Sequence, residues 1–468
     1  LDVWRRGRRM RGMSDALSVS ERLVAFMREW QTRGVPGFAM HETTRLLINQ
    51  LKASVGAVDN KTVQILHKWA VPGDGGTGEA QVLWFGTRTS AEHAAVVNGA
   101  LFEVLDFNDT YIPCFMHAVS GVLPAVLAEA EVGGQSGHDV VTALALGIEA
   151  ELAVATILMP TGYFRGFIPG GITGAIGGAA ACGLLLGLTD KQLCDAIGLA
   201  MNSGCGTYQS AGFMTLPTIM GMVARTGLTA SRLAALGLEA PRLAFEGDKG
   251  MFSAYSDEPR EKFEAVLGSL GETWRMLGNT YKTVPTETIT HGPIECVLAI
   301  LARAQGRTVE RMRFGVEAIV VKIANERAER WGTPGSDLEA RFDMRFCAAA
   351  TWIRGRFTLE EMREAAYTDP AILALRDRIE LMPDATHKTF DGASLEVSFT
   401  DGSSESVVIP AFRGTPENRM SDDELSQLFR LSCGDLLPAG RPDAILQSAW
   451  GLRSAPDVRG LMSLLRCH

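Results

Sequence analysis

From Ser18 to about Ala254 apolar residues recur three and four positions apart, the spacing that lines one face of an α-helix, and alternating runs are rare. This predicts a helical first portion. Long apolar helices are expected over 91–105, 122–131, 139–158 and 219–236. One start is well marked: Thr189 and Gln192 have the spacing of a capping box, and Leu193, Ala196, Ile197 and Ala200 then share a face. Residues 170–188 carry no charge and approach the length of a membrane span. That run is largely Gly and Ala, with Gly170, Gly174 and Gly178 four apart, and no other segment reads as long and apolar enough to join it. It is expected to be a closely packed buried helix, with no membrane partner.

From about Asn279 the pattern changes. Residues 316–323 are rich in β-branched side chains and read as a strand, and 395–409 alternate on either side of Asp401-Gly402, a hairpin signal. Helical patterns at 293–304, 338–353 and 359–366 lie among them, which predicts an α+β unit. After Pro410 helices return: Ser421 with Glu424 is a second capping box, Leu425, Leu428 and Phe429 share a face, and Gly434 ends the turn. The expected organisation is mainly α, with a helical domain over 14–278, an α+β domain over 279–410 and C-terminal helices over 411–468 that rejoin the first.

With 468 residues, 46% of them hydrophobic and 21% charged, the chain can bury more than one core and has no composition for extended disorder. A net charge of −9 excludes a basic field for nucleic acid. The one basic cluster, Arg5, Arg6, Arg8, Arg9 and Arg11, precedes Met13, which is read as the start; a transit peptide is the less favoured reading. The eight cysteines show no CxxC pair or zinc spacing, so reduced thiols and a cytoplasmic location are expected.

Two segments could carry chemistry. The loop 106–117 follows one apolar helix, precedes another, and holds Asp106, Asp109 and His117, an imidazole beside carboxylates. Helix capping is the simpler role for any one of those acids. The second segment, 281–291, places Lys282 at the junction of the helical and mixed portions, where it would be a surface charge or face a cleft. His291 begins a helix ahead of Gly292 and Pro293, and a structural role suits it equally. No nucleotide-binding glycine fingerprint, HExxH or GxSxG is present, which argues against dehydrogenase, metalloprotease and serine hydrolase chemistry.

Asn98-Gly99, then Leu105-Asp106-Phe107-Asn108-Asp109-Thr110 with His117 downstream, resembles the LDFDDT signature of the MmgE/PrpD family, which includes dehydratases, a decarboxylase and an epimerase. Further segments follow in the family's order: 166–169 at the place of GWHPT, 214–221 at TKPxHxG, 281–291 at FKxxP and TH, and 345–349 at the xYxxA helix. The resemblance implies a large helical domain, a smaller α+β lid, a site between them and a homodimer. It also implies removal of a group or proton beside a carboxylate, with no metal or organic cofactor. Asp106, Thr110, His117 and Lys282 match the family's active-site positions. Ile168, Leu216, Ile219 and Phe346 stand where it has histidine, lysine, histidine and tyrosine, and Glu103 where members often have histidine.

These departures predict a small carboxylate substrate with less charge than a citrate-like acid, because unpaired carboxylates beside Ile and Leu are costly. His117 would carry the proton, Lys282 would anchor or donate, and Asp106 and Thr110 would orient them. Asp109, Ile168, Leu216, Ile219 and Phe346 would line the substrate. A lyase is the first expectation; an isomerase working by proton transfer and a non-catalytic relative that binds an apolar metabolite or a partner are the alternatives. Cys114 is expected to be a buried, inert thiol.

Overall fold

A computed structural model describes residues 16–73, 77–304, 306–387 and 390–467; the Arg-rich stretch and Met13 lie outside them. Two large hydrophobic cores organise the described residues, with a third, small and mostly alanine cluster from Ala80 to Leu228. The larger draws on residues from Val19 to Tyr281 and again from Met420 to Cys467, while the smaller runs from Ile289 to Phe399.

The larger core is built on helices Gly37–Val55, Ala91–Glu103, Gly137–Leu158, Pro169–Leu185 and Thr215–Ala235. Both expected capping boxes form: Thr189 starts Asp190–Met201 and Ser421 starts Asp422–Cys433. All seventeen residues of the Gly-rich helix Pro169–Leu185 are buried. Small residues let the helices approach backbone to backbone: a Cβ added at Gly99 would stand 2.5 Å from the Cα of Gly221 on Thr215–Ala235.

The Gly-rich run is the buried helix expected, but the expectation that no other segment is long and apolar enough to join it needs correction. Among the described residues the one helix long and apolar enough to cross a bilayer is Gly137–Leu158, not the Gly-rich one. It is buried in the larger core, and Glu149 and Glu151 are buried with it.

In the smaller core a sheet runs in the order Ile379–Pro383, Val309–Val316, Ala393–Phe399, Ser404–Ile409, the first pair parallel and the others antiparallel. The hairpin at Asp401-Gly402 forms, with Gly402 at φ 82° supplying the left-handed turn position. Alternate residues Met312, Phe314, Leu395, Val397 and Phe399 are buried, and helix His291–Ala304 packs on this sheet and on helix Met344–Arg354. The expected strand over 316–323 is only an end: the strand stops at Val316 and Ala318–Trp331 is helical. Val320 and Ala324, four residues apart, are its buried positions, so one packed face overrides the β-branched preference of that run.

A short antiparallel pair, Asp109–Thr110 with Thr280–Tyr281, joins the two chemically interesting segments. It places the loop after Ala91–Glu103 beside Lys282 where the two cores meet.

Candidate functional site

Asp106 adopts a left-handed backbone, φ 49°, a region that Asp tolerates better than most residues. Its carboxylate and main-chain oxygen turn to one cation. Lys282 Nζ donates to the Asp106 main-chain oxygen at 2.9 Å and to its Oδ1. Lys282 is wholly buried, and its own main-chain oxygen accepts from Lys52 Nζ at 2.7 Å. Lys52 is buried too, and its ammonium lies 3.7 Å from the centre of the Phe107 ring. Burial, with Lys282 nearby, pushes the Lys52 amine well below the usual lysine range.

His117 approaches the same Asp106 oxygen that Lys282 holds. Its Nε2 is 3.5 Å from Asp106 Oδ1 and 3.6 Å from Glu103 Oε1. Nδ1 is 2.6 Å from the main-chain oxygen of Asp109 and 3.4 Å from Thr110 Oγ1. A carbonyl can only accept, so Nδ1 carries the hydrogen and the neutral ring presents its lone pair at Nε2. Thr110 Oγ1 is also 2.8 Å from Thr288 Oγ1, a hydroxyl pair linking the larger core to the smaller.

These groups face a cavity of about 100 Å³, room for roughly seven to ten waters or one small organic acid. Glu103, Asp106, Thr110, His117, Ile168 and Leu216 all line it. Lys282 does not; it stands behind Asp106. The remaining sequence candidates point elsewhere. Asp109 is fully buried, accepting from Gln50 Nε2 at 2.6 Å and the Ala118 amide at 3.2 Å, and burial raises its carboxyl to about 6. It is not among the lining residues, and its main-chain oxygen acts on the cavity only by holding His117 Nδ1. Ile219 and Phe346 are not among the lining residues: Met220, next to Ile219, takes the wall position, and Phe346 packs in the smaller core. Cys114 is buried away from the cavity, its thiol pushed up to about 12 by burial. His291 is buried against Phe412, ring centres 4.9 Å apart, and burial holds it well below the usual histidine range.

Several lining groups have no signature in the sequence. Arg341, buried, bonds the Val104 carbonyl and, through Nη2, Asp337 Oδ2 at 2.9 Å. Glu287 pairs with Arg327, Nη2 to Oε1 2.7 Å. An aromatic wall combines Phe115 with Tyr163 and Phe390, ring centres 4.6 and 5.1 Å away, and Tyr163 with Tyr208 at 4.9 Å. Phe390 comes from the smaller core and Tyr163 packs against the larger, a pairing no local pattern encodes. Among the described residues no set of three or more His, Cys, Asp or Glu is grouped to hold a metal ion.

An imidazole with Nδ1 committed to a carbonyl, two flanking carboxyls and a partly open cavity between two cores form a candidate acid–base site in a mainly helical protein. The chain belongs to the MmgE/PrpD family: the model of the MmgE/PrpD N-terminal domain matches residues 21–264 and that of the C-terminal domain residues 284–452. Relatives include the cis-aconitate decarboxylase of Homo sapiens, 25% identical over 394 residues, covering 81% of this chain and 80% of that protein. The Aspergillus terreus cis-aconitate decarboxylase is also 25% identical, over 419 residues, 83% and 84% of the two chains.

Proposed function

We propose that this protein is a lyase of the decarboxylase or dehydratase type, acting beside a carboxylate on a substrate less charged than citrate-like acids. The observation that carries the reading is His117, whose Nδ1 is committed to the Asp109 oxygen while Nε2 faces the cavity. A base so held can accept a proton from carbon or return one, and the imidazolium it forms meets Asp106 and Glu103. Lys282 works through Asp106, whose orientation it fixes, rather than by touching substrate. His117 opening on a cavity lined from both cores supports catalysis over a purely binding role.

Charge supports the substrate class. Among the described residues the acids lining the cavity are Glu103, Asp106 and Glu287, against Arg341 and His117 as groups able to bear positive charge. Arg341 is already bonded to Asp337 and a carbonyl. One substrate carboxylate could be met here; two or three would lack partners. The wall at Ile168, Leu216, Phe115 and Met220 suits an apolar chain instead.

The test is a panel running from cis-aconitate, the acid in the relatives' names, to unsaturated and hydroxylated mono-acids, assayed in deuterated water for carbon dioxide release, dehydration and deuterium uptake, with His117→Ala as control. Lysis of a mono-acid, lost in the variant, supports the proposal. Deuterium uptake without lysis would point to an isomerase, and preference for cis-aconitate would overturn the substrate class. A cytoplasmic homodimer completes the proposal, tested by fractionation and by solution mass.

A further inference from the structure

The Glu103 carboxyl faces the imidazolium that His117 forms, and what holds it differs from what holds Asp106. It ends helix Ala91–Glu103, where main-chain carbonyls present the negative end of the helix dipole. Its Oε2 accepts from Asn108 Nδ2 at 2.6 Å, and Asn108 Nδ2 also reaches Ser120 Oγ at 2.6 Å. Its Oε1 turns to His117 Nε2 at 3.6 Å on the cavity wall. The two carboxyls around His117 therefore differ in kind. Asp106 has the buried ammonium of Lys282 in direct contact, whereas His117 is the one ion-pair partner of Glu103 among the described residues. The charged groups around Glu103 are His117, Asp106 and Lys282; burial and Asp106 raise its carboxyl, and His117 and Lys282 oppose them, with the balance upward. Arg341, the cation nearest the helix end, spends its Nη1 on the Val104 carbonyl.

We propose that Glu103 is the proton reservoir of the site, recharging His117 in each turnover. This rests on the lyase reading above. In the decarboxylation case the bond to the departing carboxylate breaks, its electron pair stays on the adjacent carbon, and carbon dioxide leaves. That carbon takes the proton from Nε2 of protonated His117, and Glu103, as the acid, passes its proton to Nε2. The resulting Glu103 carboxylate is reprotonated from water, so one proton is consumed for each carbon dioxide released.

The experiment is the pH profile of Glu103→Gln, using the acid of the panel that the wild type turns over fastest. Glutamine keeps the acceptor for Asn108 but holds no transferable acid proton. The expected result is a fall in kcat of about a hundredfold with KM little changed, and an alkaline decline displaced from the wild-type position, because His117 must then draw its proton directly from water. Glu103→Asp, which keeps a carboxyl, should retain the wild-type decline at reduced kcat, and it serves if the glutamine variant fails to fold. Infrared difference spectra should show a protonated carboxyl band in the wild type at the pH where it turns over fastest, and not in Glu103→Gln. A glutamine variant with wild-type kcat and pH profile, or absence of the band, would overturn the reservoir while leaving the lyase reading intact. A wild type that lyses nothing in the panel removes both.

Discussion

The Nδ1 of His117 lies 2.6 Å from the main-chain oxygen of Asp109, so the residue that begins the strand pair with Tyr281 also sets the tautomer of the ring. The proposed proton carrier is thereby registered to the join between the two cores. His117→Ala should lower kcat by roughly a thousandfold. Because the ring is partly exposed, its unfolding midpoint in urea should stay close to that of the wild type; a large shift would assign the ring a structural role.

Lys282→Met should cost about 3–5 kcal/mol of stability, because Asp106 would remain buried without its cation. Adding Asp106→Asn should recover part of that loss. Denaturant unfolding of the single and double variants checks this, and equal, additive losses would show the pair to be uncoupled.

Glu149 is buried in helix Gly137–Leu158, its Oε1 accepting from the Met276 amide at 2.6 Å while Oε2 has no partner. Burial raises its carboxyl from 4.5 to about 7. The folded state thus holds this proton more tightly than the unfolded chain. Its stabilising contribution is complete below about pH 4.5 and is lost as pH rises through 7, a change of about 3 kcal/mol. Glu149→Gln should remove that loss, so the stability difference between variant and wild type should move in favour of the variant between pH 5 and 8. A constant difference would contradict the shift.

Leu216→Lys would place a cation on the cavity wall near Thr110 and His117. Affinity for di- and tricarboxylates should rise about tenfold relative to mono-acids, read as the ratio of kcat/KM values or by calorimetry. No change in that ratio would mean that charge at this wall does not select the substrate.

Gly99→Ala would press a methyl into the backbone of Gly221, and neither helix can yield without moving the other. A loss of about 3 kcal/mol or more is expected, measured by thermal or denaturant unfolding.

The helices were legible because their apolar stripes are long and their starts carry Ser or Thr with Glu or Gln three residues on, as at Thr189 and Ser421. The run 316–323 misled because its composition speaks for a strand while the packing of Val320 and Ala324 decides for a helix. At the site, Asp106, Thr110 and His117 share one loop and could be read together. Lys282 could be named from its segment, but its place behind Asp106 depends on strand pairing across the chain. Arg341, Tyr163 and Phe390 meet only after folding, and no spacing announces them. Ile219 was one residue away from the wall because helix Thr215–Ala235 turns Met220 and Leu216, four apart, toward the cavity.

The larger core is closed by late residues: the Trp84 amide donates to the Leu465 oxygen and its oxygen accepts from the Cys467 amide, both at 2.9 Å, while Arg45 Nη2 reaches the Met420 oxygen at 2.6 Å. On a translating ribosome the first helices therefore emerge with one flank of that core bare, and it stays bare while the α+β unit is made. The segment 289–399 can complete its own core before the helices encoded ahead of it complete theirs.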